Sequence, residues 1–203
     1  MPVSRISLTG AATLAACLAM SPVAASAKVV DQQANGFSLQ ESERIAAPPD
    51  KVFAELIQPS KWWSSAHTFS GDAKNLTLEA KAGGCWCETV PGGGSALHMT
   101  VVAVLPGKLL RLRGALGPFQ STGMDGAMNF VLAADKNGGT RVELVYNLGG
   151  YAWGGYQHLP ESADGVLGLQ LFRLKQLIET GSPDTPRPPE PAAKTPPTTE
   201  KKS

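Results

Sequence analysis

Residues 161–180 read ESADGVLGLQLFRLKQLIET. Leu167, Leu171, Leu174 and Ile178 recur at helical spacing and form one apolar stripe. Val166, Leu169 and Phe172 widen that stripe beyond one face, so the helix is expected to be buried on more than one side. Gly181 follows as a C′ residue that ends it. A helix of this kind needs a large surface to wrap it, and the residues before it supply one. Leu76–Ala80, Cys85–Val90, Leu97–Leu105, Leu109–Ala115, Met124–Ala134 and Thr140–Leu148 read as strands, separated by glycine-rich turns. Ahead of them, Phe37–Ala46 is a further strand. Pro48-Pro49-Asp50 then opens a helix carrying Val52, Phe53, Leu56 and Ile57 at helical spacing, and Gln58-Pro59 stops it. Seven strands with tight turns between them and helices on one face make an α+β layer.

The chain has 203 residues, 42% of them hydrophobic and 17% charged. Residues 36–180 are read as one domain, and 28–35 as a short polar lead-in. Residues 181–203 contain seven prolines and no large aliphatic or aromatic side chain; such a segment cannot bury enough surface to offset its ordering entropy and reads as a disordered Pro-rich tail. Residues 1–27 read as a signal peptide: Arg5, an apolar run from Ile6 to Met20, and the small-residue site Ala25-Ser26-Ala27. The run is shorter than the roughly 20 residues of a spanning helix. Cleavage after Ala27 gives a periplasmic or secreted chain starting at Lys28. The alternative is a lipobox, Leu14-Ala15-Ala16-Cys17, which would anchor the chain to a membrane through a lipid on Cys17. Removing 1–27 takes away only Arg5 and leaves 17 charges of each sign. A neutral chain argues against nucleic acid and anionic lipid as electrostatic partners.

The order of elements resembles the SRPBCC, START-like or helix-grip superfamily, in particular its heat-shock ATPase activator and polyketide cyclase branches. The resemblance rests on Ile45–Phe53, Trp62-Trp63, Gly83-Gly84 before an aromatic strand, Pro106-Gly107-Lys108-Leu109-Leu110, Gly139-Thr140-Arg141-Val142 and the ending from Asp164 to Lys175. It implies a curved seven-stranded antiparallel sheet wrapped around the long C-terminal helix, with two short helices after the first strand and a cavity between sheet and helix. It implies ligand carriage, cyclase-type catalysis or co-chaperone work, and does not choose among them.

Alternation along the strands assigns faces. Trp86, Glu88, Leu97, Met99, Val101, Leu110, Leu112, Met128, Phe130, Leu132, Val142, Leu144, Tyr146 and Leu148 are expected inward. A turn at Pro91–Gly94 would pair Trp86 with Met99 and Cys87 with His98. Glu88 then lies among apolar side chains, where an unpaired charge costs several kcal/mol. It is a structural pair or faces a ligand, with Arg44, Tyr146 and Tyr156 as candidate partners. Cys85, Cys87 and His98 would share the opposite face, with His67 as a possible fourth member. Three readings stay open there: packed thiols, a disulfide closing a very small ring, or a site for zinc or copper.

Aromatic residues cluster in loops at Trp62, Trp63, Phe69, Phe119, Tyr151, Trp153 and Tyr156. They form either the mouth of an apolar pocket or a cap on an open sheet. No phosphate-binding loop, nucleophile elbow or zinc-protease helix is present. The expectation is an exported protein that holds a small hydrophobic or amphipathic molecule, without a cofactor, against Trp62, Trp63, Trp86, Glu88, Met99, Phe130, Tyr146, Trp153 and Tyr156. An enzyme of cyclase or hydratase type with Glu88 as acid or base is the rival; no catalytic residue is otherwise assigned.

Overall fold

The computed structural model describes residues 28–157 and 159–184. The expected leader, the Cys17 lipobox and most of the Pro-rich tail lie outside them. Eight strands form one antiparallel sheet: β1 (Lys28–Gln33), β2 (Gly36–Ile45), β3 (Leu76–Leu78), β4 (Cys85–Val90), β5 (Gly94–Leu105), β6 (Leu109–Arg113), β7 (Gly123–Ala134) and β8 (Thr140–Tyr151), in the order β1-β2-β8-β7-β6-β5-β4-β3. Two short helices, α1 (Pro49–Leu56) and α2 (Pro59–Trp62), follow β2, and α3 (Leu159–Thr180) ends the fold.

The strand count exceeds the expected seven by β1. Residues 28–33 (KVVDQQ) hold their two apolar side chains, Val29 and Val30, side by side and not in alternation, which is why they read as a lead-in. They pair with β2 through a two-residue turn, Gln33 opposite Gly36. Gly36 sits where a Cβ would lie 2.4 Å from the Leu148 carbonyl oxygen, so only glycine fits the crossing of β1, β2 and β8. Among the described residues no helix is long and apolar enough to cross a membrane.

α1 begins with Pro49 in its first turn and buries Val52, Phe53 and Leu56. α3 buries Leu167, Leu171, Leu174 and also Gly168 and Phe172, so it is covered on more than one side. Gly181, at φ 82°, donates its N–H to Leu177 and closes the helix end. With one exception the expected inward set is buried, from Val101 and Leu112 in β5 and β6 to Leu144 and Tyr146 in β8.

The exception follows from one turn. The β4–β5 loop holds three residues, with Val90 opposite Gly94, not the four the Pro91–Gly94 reading assumed. The extra residue is taken up by a bulge at His98, between the pairs Trp86–Met99 and Cys87–Leu97. Below the bulge the register moves by one. Leu97 therefore turns outward and is 58% exposed, while His98 turns inward and is 8% exposed.

Candidate functional site

The bulge brings His98 to the Glu88 side of the sheet. His98 Nε2 lies 2.8 Å from Glu88 Oε2, and the same carboxyl accepts the backbone N–H of Phe69 (3.1 Å) and Ser70 (2.5 Å). Burial works against ionisation of Glu88, but the donors from Ser70, Phe69 and His98 outweigh it and hold the carboxyl below its ordinary range. Glu88 thus pins the 69–70 segment to the sheet. None of its expected partners reaches it. Arg44 pairs with Asp135, Tyr146 bonds the backbone of Gly114 and Leu116, and Tyr156 bonds the carbonyls of Gln33 and Gly36.

Two histidines have their tautomers assigned by glutamines. Gln120 Nε2 donates to the Leu97 carbonyl (3.3 Å) and faces His98 Nδ1 (3.2 Å). The carbonyl can only accept, so the amide nitrogen stands at that end. His98 Nδ1 is then an acceptor and Nε2–H points at Glu88. At the other site, fully buried Gln170 of α3 accepts the Ser64 N–H at 2.7 Å through Oε1, leaving Nε2 to meet His67 Nδ1 at 2.9 Å. His67 Nδ1 is therefore the acceptor, which leaves Nε2–H as the donor of that ring.

His67 lies on the wall of a cavity of about 320 Å³ between α3 and the sheet. The rest of the wall is largely apolar: Trp63, Leu116, Phe119, Tyr146, Ala163 and Leu167 are representative. Trp63 is fixed there by its indole N–H to the His67 carbonyl (2.9 Å). Burial holds the Tyr146 hydroxyl well above its ordinary range, so it is neutral. A second void of about 30 Å³ shares Trp63, His67, Phe69, Leu116 and Gly117 with the first and adds Leu76, Trp86 and His98. It adjoins the main cavity as an annex.

Of the nine residues expected to contact a ligand, Trp63 and Tyr146 line the cavity, and Trp86 lines the annex. Glu88 stands behind His98, spent on structural donors. Met99 and Phe130 are core residues at 1% exposure, away from both voids. Trp62 is buried with its indole N–H on the carbonyls of Glu55 and Leu56. Tyr156 packs on Phe37 and ties α3's approach to the β1–β2 turn. Trp153 is 89% exposed and touches neither void.

The Cys85, Cys87 and His98 grouping does not assemble. Cys85 and Cys87 are paired as a disulfide with Cα atoms 5.4 Å apart, the second of the three readings, while the bulge carries His98 to the other face. Among the described residues no group of three His, Cys, Asp or Glu side chains is placed to hold a metal ion. Gln170 was missed by the sequence reading. Its signal was a polar residue inside the Leu167–Leu171–Leu174 stripe.

No protein-family profile and no curated protein sequence matches the chain. Solved structures do match. A conserved protein of unknown function from Enterococcus faecalis aligns over 80% of this chain and 80% of its own, at TM-score 0.55 and 16% identity. A protein from Chromobacterium violaceum aligns over 70% of this chain and 96% of its own, at TM-score 0.50 and 17% identity. The likeness is one of fold. It agrees with a helix-grip arrangement and carries no activity with it.

Proposed function

We propose that this is an exported helix-grip protein, of the SRPBCC kind, that binds one small, mainly apolar molecule between α3 and the sheet. The observation that carries the reading is the cavity itself: about 320 Å³, largely apolar, with one preset donor on its wall. Ligand sites commonly span roughly 300–1,000 Å³ with few polar groups, so the occupant is at the small end. The commitment of Glu88 to two backbone N–H groups and His98 favours binding over acid–base catalysis. Export is supported by the leader pattern of residues 1–27 and by the Cys85–Cys87 disulfide, since disulfides persist in oxidising compartments.

Native mass spectrometry of protein purified from the exported fraction tests the reading. A one-to-one small-molecule adduct, released on denaturation, is expected. A bare chain that also fails to take up any apolar probe would overturn it.

A further inference from the structure

Among the buried polar atoms, Trp86 Nε1 stands out. The side chain is 2% exposed, and its N–H has no hydrogen-bond partner among the described residues. Buried donors are nearly always satisfied, and an orphan calls for an acceptor that the protein itself does not supply. Trp86 lines the annex, as does His67, whose Nε2–H is left as a donor by Gln170. The annex is about 30 Å³, close to the volume of one water or one carbonyl group. It adjoins the apolar cavity, sharing walls at Trp63, Phe69 and Leu116.

Resting on the cavity reading above, we propose that the ligand carries a neutral carbonyl oxygen that enters the annex and accepts from Trp86 Nε1–H and His67 Nε2–H, with its apolar body in the main cavity. The charge environment selects against the alternatives. A carboxylate would give up its hydration for neutral donors alone and would approach the Glu88 carboxylate, which lies just behind His98. An alcohol could accept from both donors but, like an amine, would leave its own proton without an acceptor. A ketone, ester or amide carbonyl fits both the donors and the volume.

The test uses two probes of the same shape, 2-acetylnaphthalene and 2-isopropenylnaphthalene, which differ by C=O against C=CH₂. Residues 28–203 labelled with nitrogen-15 give indole N–H signals from four tryptophans, Trp86 being assigned by its loss in Trp86→Phe. The acetyl probe is expected to bind about tenfold more tightly, because only it satisfies the buried donor. It is expected to move the Trp86 indole proton downfield, while the isopropenyl probe leaves that signal near its free position. In Trp86→Phe the preference should shrink severalfold. Equal affinities with an unmoved Trp86 signal would mean the annex holds a water only; that overturns the carbonyl proposal and leaves the cavity reading standing. Failure of both probes to bind would overturn the cavity reading and this proposal with it.

Discussion

Gln170, fully buried on α3, joins the helix to the 64–67 segment by accepting the Ser64 N–H and donating to His67 Nδ1 at 2.9 Å. One amide thereby sets both the position of the cavity wall and the tautomer of His67 on it. Gln170→Met keeps the volume and removes both bonds. It is expected to cost about 1–3 kcal/mol, since a part-buried N–H loses its acceptor. Nitrogen-15 spectra of histidine should show His67 as the Nε2–H tautomer in the wild type and as a tautomer mixture in the variant. An unchanged His67 spectrum would remove this role.

Glu88→Gln replaces an acceptor of three donors by an amide that repels one of them. A loss of about 2 kcal/mol in denaturant unfolding is expected. The pH sign follows from the lowered folded-state pKa of Glu88. Its contribution is complete above the unfolded value of about 4.3 and is lost as pH falls through the lower folded value. The stability difference between wild type and Glu88→Gln should therefore narrow on acidification below pH 4. A difference that stays constant down to acid unfolding would contradict the assignment.

Asp164 behaves in the opposite sense. Burial raises its pKa, only partly offset by a hydrogen bond with Glu41, which rises from β2 beneath Gly168. Lys175 and Glu43, 3.1 Å apart, lie on the same two elements. A carboxyl with a raised folded-state pKa binds its proton more tightly when folded. Stability then falls as pH rises from the unfolded value of about 3.9 through the raised one. Asp164→Asn removes this penalty, so thermal unfolding at pH 8 should move up by a few degrees, with little change at pH 4. A drop at pH 8 would count against a raised Asp164 pKa.

The Cys85–Cys87 bond spans a separation of two residues, so loop closure supplies only on the order of 1–2 kcal/mol. Cys85→Ser with Cys87→Ser should lower stability by no more than that and leave probe binding intact. The intact mass of the exported chain should match Lys28–Ser203 less two hydrogens. A diacylated Cys17 at the N-terminus would replace the Lys28 start, and free thiols in protein isolated without reductant would remove the oxidised pair.

Much of the architecture was legible because its signals are periodic. The long helix showed in Leu167, Leu171 and Leu174, and the inward faces of β6, β7 and β8 in simple alternation. β1 was not legible, because an edge strand of Asp31, Gln32 and Gln33 needs no apolar face. The decisive miss was His98. Whether Pro91–Gly93 closes a three- or four-residue loop is not written in local composition, and the residue absorbed at the bulge reverses the side of one histidine. That reversal took His98 away from the cysteine face, one of whose readings was a metal site, and made it a Glu88 partner. Gln170 and Trp86 were visible as residue types, but their roles depend on what α3 and the sheet bring near them.

The central claim is a saturable apolar site beneath α3, and Ala163 on the cavity wall gives direct access to it. Ala163→Phe places a ring in the void without breaking any hydrogen bond described above. The measurement is calorimetric titration of 2-acetylnaphthalene into wild type and Ala163→Phe, with thermal unfolding recorded for both. One equivalent is expected to bind to the wild type, and none to a variant of equal or greater stability. Equal binding by both proteins, or no binding by the wild type, would contradict that claim.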